Sequence, residues 1–96
     1  MTLEEFRQTL TQPGPPHGVS HALRAMWEAA KGNWNAAHAI AQDIDDRTGS
    51  WIHAYLHRKE GDLDNASHWY RQAGRPVERG ALDAEWRAIA AALTAE

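Results

Sequence analysis

Ninety-six residues, 43% of them apolar, make one domain with a modest core. Thirteen acidic and ten basic residues are interspersed and leave a net charge of -3, so no basic field exists to gather nucleic acid or an anionic membrane surface. Cysteine is absent, which excludes a disulfide scaffold, a thiolate metal site and a thiol nucleophile.

In chain order, nearly everything outside the turns reads as helix. Thr2 and Glu5 have capping-box spacing, and Leu3, Phe6 and Leu10 form a stripe at helical period. This opening is acidic and amphipathic, unlike a secretory signal, and no apolar run approaches the ~20 residues a bilayer span needs. A cytoplasmic location and no membrane association are therefore expected. Pro13-Gly14-Pro15-Pro16-His17-Gly18 cannot continue the helix, because proline lacks an amide donor and restricts its predecessor. Ser20 is the expected cap of a second helix with Leu23, Met26, Trp27 and Ala30 on one face. Gly32 ends it, and Asn33 is the expected cap of a third, whose inward face is Trp34, Ala37, Ala41 and Ile44. Asp45 to Gly49 reads as a polar turn, with Ser50 capping a fourth helix that carries Ile52, Tyr55 and Leu56. Gly61 stops that helix, Asp62 caps a fifth with Leu63, Ala66, Tyr70 and Ala73, and Gly74-Arg75-Pro76 ends it. Leu82, Trp86, Ile89 and Leu93 mark a sixth. No segment alternates with period two, so strands are not expected.

The sequence also repeats internally. A shift of 29 residues places Ala25 on Ala54, Gly32 on Gly61 and Ala37 on Ala66. Each copy is a helix, a glycine break and a second helix, which is the pattern of an α-solenoid fragment. A methyl group at a helix crossing lets two axes approach, and the glycine permits a left-handed cap. In these residues the chain resembles the tetratricopeptide repeat, with a period five residues shorter than the usual 34. The early aromatic and leucine of that family are replaced here by His21 and Arg24, and by Ser50 and His53. The stretch from Trp51 to Ala66 also resembles small bacterial proteins. The expected architecture is all-α, with about six helices in one domain spanning 1–96. It divides into an N-terminal capping helix (1–12), a Pro/Gly-rich linker (13–19), two antiparallel helix-turn-helix repeats (20–76) and a C-terminal capping helix (77–96).

The resemblance implies a function. In tetratricopeptide domains the first helix of each pair lines a concave groove, which here assigns Trp51, Tyr55, Arg58 and Lys59 to the groove of copy two. The matching positions of copy one are Ala22, Met26, Ala29 and Ala30. Two aromatics and two cations suit an extended or helical peptide bearing a carboxylate, and a protein or peptide partner is expected on that basis. The competing reading packs Trp51 and Tyr55 into the core and leaves Arg58 and Lys59 solvated. Self-association into a homodimer is the other use for so many aromatics, which include five tryptophans.

His53, His57 and Glu60 fall on one helical face and have the donor types of a divalent-metal site. They lack the glutamate beside the first histidine that marks zinc proteases. The repeat alignment puts both histidines where paired helices pack, so hydrogen-bonded core histidines are the preferred expectation, with no metal and no cofactor. No phosphate loop, nucleophile elbow or paired apolar carboxylates appear, so no enzymatic activity is expected. Arg71, Arg75 and Arg79 recur every four residues, but Gly74 and Pro76 interrupt the helix that would align them.

Overall fold

Thr2 opens the first helix as its sequence suggests: its hydroxyl accepts from the Glu5 amide, and the Glu5 carboxylate accepts from the Thr2 amide. The computed structural model describes residues 1–94; the last two positions of the expected C-terminal segment, 95 and 96, lie outside the described residues. Six α-helices follow one another: α1 (Leu3–Gln8), α2 (His21–Ala30), α3 (Trp34–Gln42), α4 (Arg47–Glu60), α5 (Leu63–Ala73) and α6 (Leu82–Leu93). A single 3-10 turn, Thr9–Thr11, extends α1, and there are no strands among the described residues. The all-α expectation holds.

α2 packs along α3, α4 along α5, and α3 joins the two pairs through α4. Both pairs turn in the same way. Gly32 and Gly61 adopt left-handed backbone angles (φ 84° and 91°), and the residue after each glycine donates its amide back to the preceding helix, Asn33 to Glu28 and Asp62 to His57. Ala25, Ala37, Ala54 and Ala66, the small residues matched by the 29-residue shift, are all buried. Methyl-sized contacts at these places let the paired axes approach.

Several boundaries differ from the sequence reading. α4 begins at Arg47 rather than after Ser50, because Asp46 supplies the cap by accepting from the Gly49 amide at 2.9 Å. Gly49 therefore lies inside the first turn of α4, not in a polar loop. Its backbone passes so close to Ile44 that an added Cβ would sit 2.0 Å from the Ile44 carbonyl oxygen. Asn33 precedes α3, but its side chain caps nothing and donates instead to Glu28 at 2.8 Å. Ile44 falls beyond the end of α3 and is half-buried.

The terminal helices do not cap the two ends of a stack. α6 lies against α2 and α4 together, and α1 packs on α6, with Phe6 and Trp86 stacked at 6.0 Å. α6 thus covers the face formed by α2 and α4. The physical reason is area: two helix pairs leave one apolar face open, and Trp86, Ile89 and Ala90 of α6 are buried against it. Four tryptophans anchor this assembly through their indole N–H groups. Trp27 donates to the Thr9 carbonyl, Trp34 to that of Leu56, Trp86 to that of Met26, and Trp51 to a side chain of α6.

Candidate functional site

The residues assigned to a groove are brought together, and the groove is filled. Trp51 and Tyr55 point from α4 toward α6 and are only 9% and 3% exposed. The outer face of the Trp51 ring is covered by Arg75, whose guanidinium carbon lies 3.4 Å from the ring centroid. Arg58 does not face solvent: its Nη1 donates to Glu85 Oε1 at 2.7 Å and its Nη2 to the Gly80 carbonyl. Lys59 donates to the Ala29 carbonyl at 3.1 Å, sharing that oxygen at the end of α2 with the Gly32 amide. The expectation of an open surface at Trp51, Tyr55, Arg58 and Lys59 is therefore corrected. Trp51 and Arg58 bind the chain's own sixth helix, and Lys59 bonds to the end of α2.

What Trp51 and Arg58 hold is a carboxylate. Glu85, in the first turn of α6, is 3% exposed. It accepts from Arg58, from the Tyr70 hydroxyl at 2.6 Å, and from Trp51 Nε1 at 3.3 Å. Burial, followed by the hydrogen bond and charge of Glu85, raises the Tyr70 hydroxyl well above the ordinary tyrosine range, so it stays a proton donor. Tyr55 is pushed up to about 12, by burial first and then by the Glu85 charge. The stripe Leu82, Trp86, Ile89 and Leu93 did not reveal Glu85, because an acidic residue one position before Trp86 reads as helix-start acidity. Beside this cluster an open cleft of about 390 Å³ remains between Arg7, Tyr55, Lys59, Leu82 and Trp86.

A second constellation lies where α3, α4 and α5 meet. His53 and His57 project from consecutive turns of α4, as their spacing dictates. They meet His38 of α3, whose Nε2 lies 2.8 Å from His53 Nε2. One ring nitrogen from each of His38, His53 and His57 lies within 4.8 Å of the others. Glu60 does not complete a shared face with both α4 histidines; its Oε2 accepts from His57 Nδ1 at 2.8 Å. Asn65 of α5 makes a long contact of 3.4 Å with His57 Nε2. Two indoles line the group, with Trp34 stacked on His38 at 4.8 Å and Trp69 on His53 at 3.9 Å. Burial, together with the neighbouring imidazoles, pulls His53 down to about 4, and burial followed by His57 lowers His38 as well. His68 stands outside the group, edge-on to Trp69. No spacing in the sequence singles out His38, which meets the α4 histidines only through the packing of α3 on α4.

Compared with known family models, curated proteins and solved structures, the chain matches none. No helix among the described residues is long and apolar enough to cross a membrane. The class the fold defines is an all-α protein of two helix pairs closed by a sixth helix.

Proposed function

We propose that this protein is a protein-interaction module whose groove between α2 and α4 receives an amphipathic helix carrying a carboxylate in its first turn. α6 is the occupant held in the resting chain. One observation carries the reading: the occupant is fixed by a buried ionic anchor, Glu85 on Arg58, Tyr70 and Trp51. Apolar contacts alone would hold a covering helix. A buried ion pair adds little net stability over apolar residues of similar size, but it fixes register and charge type. A competing helix with an acidic residue at the same place meets the same three donors. The segment 74–81 that leads to α6 is exposed and without helix, so the occupant is tethered rather than continuous with α5. The cleft at Arg7, Tyr55 and Lys59 adjoins the start of α6 and gives an incoming chain room to begin. A homodimer that exchanges α6 between copies fills the same groove in trans. A cytoplasmic location belongs to the same proposal.

The test is direct. A labelled peptide of residues 80–94 is titrated into the Glu85→Gln protein, whose own α6 has lost its charge on Arg58. Saturable anisotropy is expected, and replacing glutamate by glutamine in the peptide should weaken binding by about tenfold or more, the loss of one charge-assisted bond. Equal binding by both peptides, or none by either, contradicts the reading.

A further inference from the structure

We propose that His38, His53 and His57 form a binding site for a divalent transition metal of the zinc type, joining α3 to α4. This rests on the histidine cluster alone and is independent of the groove reading.

The donor set selects the metal class. Three imidazole nitrogens suit zinc, nickel, cobalt or copper, whereas magnesium and calcium demand oxygen ligands. Three protein ligands also leave a coordination position open, as in zinc sites that bind water or a small anion. The donors arrive from two helices, with His53 and His57 fixed by one turn of α4 and His38 by α3. Each is backed by a rigid group. His57 is aimed by Glu60, whose carboxylate accepts the hydrogen bond of Nδ1–H and so leaves the Nε2 lone pair of the neutral ring for a ligand. A carboxylate behind a metal-bound imidazole fixes its tautomer and raises its basicity. His38 and His53 are held in place by Trp34 and Trp69.

The nitrogens surrender little on loading. The Asn65 contact to His57 Nε2 is too long to be a strong hydrogen bond. The His38–His53 bond requires one ring to donate and the other to accept, whereas a metal needs both as acceptors. Its arrival therefore moves one proton from Nε2 to Nδ1 of the same ring, with no net proton released. Tetrahedral ligands at about 2.0–2.1 Å stand roughly 3.4 Å apart, so the two rings separate by about half an ångström. Burial that keeps His38 and His53 neutral works in the same direction, because a neutral ring is the binding form. Glu60 and Asp62 lie beside His57 and offset the incoming charge. Those two exposed carboxylates with His57 form the alternative donor set, which shares one ligand and contains two mobile side chains.

The full chain is titrated with cobalt(II) and then zinc(II), reading the visible absorption, the stoichiometry and tryptophan fluorescence. One equivalent of cobalt should give the intense bands of a four- or five-coordinate nitrogen site, displaced by zinc, with a change in emission from Trp34 and Trp69. His38→Gln should weaken binding by more than about 100-fold, and Glu60→Gln by about 10- to 100-fold. His38 is half-buried and not in the α4 core, so its variant keeps the fold, checked by circular dichroism. His17→Gln and His21→Gln, at exposed positions, should leave the affinity unchanged. A cobalt spectrum like that of the aqueous ion, or affinity that survives His38→Gln and falls with His17→Gln or His21→Gln, overturns the proposal.

Discussion

Replacing Arg58 by methionine should destabilise the protein strongly, and adding Glu85→Gln to that variant should restore much of the loss. In Arg58→Met the Glu85 carboxylate stays buried, its side chain 1% exposed, with only Tyr70 and Trp51 to bind it. Leaving a buried charge without its counter-charge costs about 3–5 kcal/mol. Glu85→Gln alone removes the charge but keeps an oxygen for all three donors. Arg58, 12% exposed, then keeps a neutral partner, at a cost of about 1–2 kcal/mol. In the double variant no buried charge remains, and the amide oxygen still accepts from Tyr70 and Trp51. The second substitution therefore stabilises the first by about 1–3 kcal/mol, although it destabilises the parent. Urea midpoints for the four proteins measure this cycle. At roughly 4–8 °C per kcal/mol for a domain of this size, the sign reversal is also visible in thermal melts. If Glu85→Gln destabilises Arg58→Met as much as it does the parent, the carboxylate is not held by Arg58, and the anchor argument fails.

The remaining predictions concern other parts of the molecule. In the metal-free protein His53 titrates near 4, below its unfolded value of about 6.5, so the unfolded chain takes up its proton first as pH falls. Its contribution to stability is complete above about 6.5 and is lost as pH falls toward 4, with a ceiling of about 3 kcal/mol. His53→Gln should flatten that part of a stability-against-pH curve, and an unchanged slope between those limits would contradict the assignment. Gly49→Ala, although inside a helix, should cost at least about 2–3 kcal/mol, because the new Cβ meets the Ile44 carbonyl and not a movable side-chain end. Gly61→Ala, in open space at φ 91°, should cost only the left-handed penalty of about 1–2 kcal/mol. Denaturant midpoints rank the two, and the reverse order would show that backbone conformation outweighs the close approach.

Much of the fold was legible because helix signals are local. Ser20 and Asp62 cap where their side chains predict, and Gly61 and Gly74 end α4 and α5 in left-handed conformations. Asp46 was passed over because Ser50 is an equally good cap by type, and only the close approach of Gly49 to Ile44 decides between them. The placement of α6 was not legible. Its stripe shows that one face is buried, but not whether the cover lies beyond α5 or across α2 and α4. The same gap hid Glu85, since a buried carboxylate is recognisable only once its three donors are in view. Of the four groove residues, Trp51 and Arg58 do meet a carboxylate, but it is Glu85 of the same chain. For the histidines, the spacing of His53 and His57 was visible, while His38 reaches them only through the packing of α3 on α4.

Hydrogen exchange resolved along the native chain tests most directly whether α6 is a separable occupant. The amides of α6, Leu82–Leu93, should exchange through an opening of lower free energy than those of α4 and α5, and Glu85→Gln should lower it further while leaving α4 and α5 protected. If α6 exchanges only with global unfolding, in step with α4, it is an inseparable part of the core and the groove has no occupant to release.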